Sequence, residues 1–183
     1  MSTIQKSTIK KEVHFSEDGK HRYLLKKEWS KTKKKAMVIM KNPSDAGKLL
    51  LDHTTMFVIN NLVKLDYGSV EILNLYSKIN AKTFAEMEED EEAIKTNDTY
   101  ITNAAARVDT IVLAWGSGCS TSKKAAERQQ TVLKLLEKHK EKIVVIEDQR
   151  GRSGFHPLSP QVRRSWKLKK VNLEDILKSE GGN

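Results

Sequence analysis

Residues 36–47 read AMVIMKNPSDAG, and this junction decides the fold. The run from Ala36 to Met40 is apolar and has the length of a fully buried strand. Asn42-Pro43 and Ser44-Asp45, which follow at once, are turn formers. A buried strand that runs straight into a polar turn is how an α/β sheet carries side chains to a ligand, because ligands sit outside the carboxyl ends of its strands.

The same alternation continues downstream. Apolar residues at helical spacing predict a helix over about 52–65, with Asp52 or Thr54 as its cap and Asp66-Tyr67-Gly68 as its end. VEILNL at 70–75, TIVLA at 110–114 and IVVI at 143–146 are three more apolar strands. Helical stretches are expected over 96–106, 122–138 and 172–179, and the acidic run 86–92 as a loop or an exposed helical face. Residues 149–165, rich in Arg, Gly and Pro, read as loop. Upstream of the opening stretch, 31–35 is a basic turn and 22–29 a mixed, strand-like segment. Short strands alternating with helices predict a three-layer α/β/α architecture around a central, mainly parallel four-stranded sheet. Residues 1–21 read as an N-terminal arm or edge hairpin, and 22–183 as a single domain.

Composition narrows the class. The chain has 183 residues, 38% hydrophobic and 31% charged, which suits one soluble domain with its own core. There is no signal-like N-terminal run and no apolar stretch of spanning length, so a cytoplasmic protein with no membrane partner is expected. Cys119 is the only cysteine, which fits a reducing compartment. With His14, His21, His53 and His139 it forms no metal-ligand spacing, so neither metal nor cofactor is expected. The net charge of +9 favours a polyanionic partner.

Each core strand is followed by a polar element. In order they are Asn42-Pro43-Ser44-Asp45, Asn74, Trp115-Gly116-Ser117, and the late loop with His156-Pro157-Leu158-Ser159. Basic residues crowd around the last of these, at Arg150, Arg152, Arg163, Arg164 and Lys167. Each motif has a plainer reading: a turn-forming Asn, a strand-end Asn, a core Trp, a loop His. Parallel strands deliver their carboxyl ends to one side, so Asn42, Asn74, Trp115 and His156 are expected to line one cleft.

The ordered set IMKNPSDA, DHTT, YGSVEILNLYS, LAWG and HPL resembles a bacterial and phage family catalogued as domain of unknown function 1643, from about Arg22 to Leu158. More distantly, the four strand-end motifs resemble those of the uracil-DNA glycosylase superfamily. That resemblance implies a nucleobase-recognising protein, with Asn42, Asp45 and His156 as catalytic candidates. It also implies base binding by Pro43, Asn74, Trp115, Gly116 and Ser117. Asn74 would pair with a base edge, donating and accepting at once. His156 would stabilise negative charge on the leaving base, and Asn42, with Asp45 as a second candidate, would hold the attacking water. Asn42 stands where many members of that superfamily carry an Asp, and HPLS is shorter than their usual last motif. The expected partner is nucleic acid, DNA foremost, or a nucleotide, with the five basic residues on the phosphate backbone. Two other functions compete: a non-catalytic nucleic-acid-binding module, and an enzyme acting on a small nucleotide-like molecule.

Overall fold

The AMVIM run lies in the middle of a seven-stranded sheet of order β1-β2-β4-β3-β5-β6-β7. A computed structural model describes residues 3–44, 52–83, 86–87, 90–116 and 122–180. The strands are β1 (Lys10–Phe15), β2 (Arg22–Glu28), β3 (Lys34–Met40), β4 (Tyr67–Asn74), β5 (Thr110–Leu113), β6 (Ile143–Glu147) and β7 (Lys167–Lys170). The helices are α1 (His53–Lys64), α2 (Glu91–Arg107), α3 (Lys123–Leu135) and α4 (Leu173–Glu180). β3 pairs in parallel with β4 on one side and β5 on the other, and β5 pairs in parallel with β6. β1 on β2, β2 on β4 and β6 on β7 are antiparallel.

The expected four-stranded, mainly parallel sheet is thus corrected to a seven-stranded mixed one. The four apolar runs lie at its centre, and strands of weaker pattern extend it at both ends. β2 fits the strand-like reading of 22–29. β7, sequence KLKK, carries no apolar alternation and is mostly exposed. Lysines on an edge strand discourage pairing with a further chain, so such a strand gives little apolar signal.

Two apolar clusters cover the two faces. Val58, Ile59 and Leu62 of α1 pack with Val38, Val70 and Ile72 on one face. Ile101 and Ala104 of α2, Val132 and Leu133 of α3 and Leu173 of α4 pack with Met37, Ile39 and Leu73 on the other. Asp52 caps α1 by accepting from the Thr55 N–H. α2 begins at Glu91, earlier than expected. Glu91 and Glu92 are in its first turn, at the positive end of the helix dipole, and Asp90 caps it by accepting from the Ala93 N–H at 2.7 Å. No helix among the described residues is long and apolar enough to cross a membrane.

β4 lies to one side of β3, while β5 and β6 lie to the other. Where a chain reverses its order across a parallel sheet, the loops leaving adjacent strands diverge and open a crevice above the carboxyl ends.

Candidate functional site

Asn74, the last residue of β4, stands at the carboxyl edge where this topology opens a crevice. Pairing with β3 continues just past it, through Leu75 N–H to Met40 O at 2.8 Å and Tyr76 N–H to Lys41 O at 3.0 Å. The Asn74 carbonyl accepts from Asn97 Nδ2 at 3.0 Å, and the Leu75 carbonyl from Arg128 Nε at 2.8 Å. α2 and α3 therefore clamp this backbone from one face. Val70 and Ile72 belong to the α1 cluster, and Leu73 and Leu75 to the opposite one. Strand alternation then turns the Asn74 side chain toward α1. It is 1% exposed, and among the described residues neither its Nδ2 nor its Oδ1 has a hydrogen-bond partner. A buried amide left unpaired at both atoms costs roughly 1–3 kcal/mol per group.

The turn after β3 is held from the side. Asn42 Nδ2 donates to Ala81 O at 2.9 Å, and the carbonyl of buried Pro43 accepts from Asn80 N–H at 3.2 Å. The Asn42 amide nitrogen is thus committed to positioning the 80–81 segment. Ser44 Oγ donates to Asp52 Oδ2. Asp45 and Ser117 lie outside the described residues.

Two charged groups that the sequence reading did not assign to the site join it here. The β1–β2 register slips between His14 and Phe15, so Phe15 opposes Arg22 and Tyr23 is skipped. A one-residue slip moves a side chain to the other face. Arg22, 3% exposed, donates to Ser44 O at 3.3 Å, and its charge interacts with that of Asp52. Burial pushes the Arg22 guanidinium down to about 10. The half-buried Asp52 carboxyl is held below its usual range by hydrogen bonds from Ser44 and Thr55 and by Arg22, against the opposing effect of burial. No local signal marks Arg22. Asp52 was legible as a helix cap, and its nearness to Arg22 and His156 was not.

His156 closes the crevice from the loop after β6. Burial lowers its pKa, and the Asp52 carboxylate opposes that shift. The Leu158 N–H donates to His156 Nδ1 at 3.2 Å, which leaves the proton of the neutral ring on Nε2. Gly116, at φ +76, lies directly against it: a Cβ there would stand 3.2 Å from His156 Cβ. The loops after β5 and β6 therefore meet at this pair. Trp115 does not turn the same way. It is half-buried and packs on the α2–α3 cluster, and with Leu113, Val171 and Ile176 it lines a cavity of about 280 Å³. The expected single cleft therefore has the Trp115 ring on the opposite face of the sheet from the Asn74 side chain.

The basic residues divide. Arg152 forms an ion pair with the buried Asp148 at 2.7 Å and lies over the Phe155 ring at 5.9 Å, so it shapes the loop. Asp148 also accepts from the backbone N–H groups of Arg150 and Arg152. Arg163 is exposed and bonds the Leu158 carbonyl, next to the His156 turn. Arg150, Arg164 and Lys167 are exposed, and Lys167 belongs to β7 rather than to the loop.

Among the described residues, no group of three or more His, Cys, Asp or Glu side chains could hold a metal ion. Comparison with curated proteins gives no match, and neither does comparison with solved structures. One family model matches residues 22–158, which spans every strand from β2 to β6 and the His156 loop. The chain belongs to that family, described as Protein of unknown function (DUF1643).

Proposed function

We propose that this protein recognises a nucleobase, on a fold related to that of the uracil-DNA glycosylases, and that it acts as a DNA N-glycosylase on a modified or damaged base. The observation that carries this reading is the Asn74 amide, buried and, among the described residues, without a partner at both its donor and its acceptor. A planar ligand edge with an acceptor beside a donor, as nucleobases present, would satisfy both atoms together.

The neighbouring groups suit the chemistry. Breaking an N-glycosidic bond leaves negative charge on the base and positive charge on the sugar. The Nε2–H of a neutral His156 can donate to a base oxygen as that charge builds. Asp52 supplies a carboxylate to stabilise the sugar cation and hold the attacking water, beside an Asn42 that cannot take a proton. The exposed Arg150, Arg163, Arg164 and Lys167 would meet the phosphates of a strand whose base has left its stack.

The experiment is a panel of oligonucleotides bearing deaminated and alkylated bases, scored for abasic sites with wild type and Asn74→Leu. Base release by wild type and none by the variant is the expected result. Binding without release by wild type would favour the non-catalytic module.

A further inference from the structure

We propose that Arg22 is the floor of an anion subsite beside Asn74, and that the ligand taken there is a phosphate-bearing nucleoside. The nucleoside part rests on the nucleobase reading, and the phosphate part on Arg22. The guanidinium is 3% exposed, yet among the described residues no carboxylate lies within ion-pair distance of it. Among the described residues its side-chain hydrogen bonding is one long contact to the Ser44 carbonyl, and Nε has no partner.

The other buried arginine is treated differently. Arg128 is bonded to Asp98 at 2.6 Å, and the exposed Arg107 and Arg152 reach the buried carboxylates of Glu71 and Asp148 at 2.7 Å or less. Arg22 has only the more distant charge of Asp52. Lys11 on β1, whose Nζ has no hydrogen-bond partner among the described residues, adds repulsion rather than compensation. A buried cation without an acid is costly when empty, and the cost is offset when an anion binds beside it.

The position is also right. The Arg22 N–H bonds the Ser77 carbonyl at 2.9 Å, so the residue sits beside the chain that leaves Asn74. An arginine fork reads a phosphate by two parallel bonds, whereas a neutral base oxygen uses one. The shared chemistry is a phosphate attached to a nucleoside, either a free mononucleotide or a phosphodiester of a strand.

Calorimetric titrations of wild type, Arg22→Met and Arg22→Lys test this, with inorganic phosphate, deoxyuridine, deoxyuridine 5′-monophosphate and a short single-stranded oligonucleotide without terminal phosphate. Inorganic phosphate should bind wild type and raise its melting temperature. Arg22→Met should weaken phosphate binding roughly 10- to 100-fold, the usual loss for a charge-assisted pair. Arg22→Lys keeps the charge and loses the fork, so it should fall between them. Arg22→Met should also melt at or above the wild-type temperature, since it removes an unpaired buried charge; that result shows the variant folds. Phosphate binding that is absent in wild type, or unchanged in a folded Arg22→Met, overturns the subsite.

The arms separate the sources and the two readings. A monophosphate bound more tightly than the oligonucleotide indicates a free nucleotide, and the reverse a strand. Phosphate bound through Arg22 while Asn74→Leu leaves the monophosphate affinity unchanged would keep the anion subsite and sink nucleobase recognition. Deoxyuridine bound through Asn74, with no gain from the phosphate, would do the opposite.

Discussion

A side chain at Gly116 would place its Cβ 3.2 Å from the Cβ of His156, and the two loops of the crevice meet nowhere more closely among the glycines described. Gly116→Ala therefore brings two penalties. The backbone at φ +76 disfavours any residue with a Cβ, and His156 must move by a few tenths of an ångström. A loss of about 1–2 kcal/mol is expected from the backbone conformation. Thermal melting measures it, and the shift of the His156 ring resonances reports the displacement. A variant as stable as wild type, with unmoved resonances, would show that this contact constrains nothing.

Asn74→Leu should be at least as stable as wild type. The residue is 1% exposed and both amide atoms are unpaired, so an apolar side chain of similar size removes two orphaned polar groups. Chemical denaturation of wild type and Asn74→Leu checks this. A loss above about 2 kcal/mol would mean that the amide is satisfied in solution and has a structural role.

Asp52→Asn separates the two tasks of Asp52. Asn caps helices about as well as Asp, so the stability cost should stay below about 1 kcal/mol. The charge near His156 and Arg22 disappears, and with it the effect that opposes the lowering of the His156 pKa. The His156 pKa, followed by NMR titration, should therefore fall further. Base release, if present, should fall by roughly 10²-fold or more, the scale of lost acid–base help. An unchanged His156 titration would place Asp52 too far away to act on it.

His156 also gives a pH dependence with a definite sign. Its folded pKa lies below the ordinary 6.5, so the unfolded chain binds the proton more readily. The stability contributed by the neutral ring is present above 6.5 and is lost as pH falls from there through the folded value. In His156→Gln that fall should be absent, leaving the carboxylates, which act at lower pH. Asp52 is one of these: its depressed pKa contributes stability above 3.8 that is lost only as pH drops through the folded value. Denaturation midpoints at intervals between about pH 7.5 and 5 would show parallel curves for the two proteins if His156 were not buried in solution.

Much of the central architecture was legible because its signals are local. AMVIM, VEILNL, TIVLA and IVVI are uninterrupted apolar runs, and such runs become strands covered on both faces wherever they fall in the chain. The strand-ending turns could likewise be read from Asn42-Pro43 and Trp115-Gly116, and the α1 cap from Asp52. The chain order of these pieces already implied that Asn74 and His156 follow core strands.

What only the tertiary structure decided depends on pairing between distant segments. The edge strands β1 and β7 take their place from their neighbours and carry little apolar pattern of their own. A single slipped residue between His14 and Phe15 faces Arg22 into the crevice, and no local pattern encodes a slip whose partner lies across a hairpin. The same holds for Trp115, which packs on a cluster that includes α4 residues far along the chain, and for Arg152, whose charge is taken by Asp148. Residue type announces what a side chain can do. Whether its polar atoms find partners, which among the described residues the Asn74 amide and Arg22 Nε do not, depends on every group that packs around it.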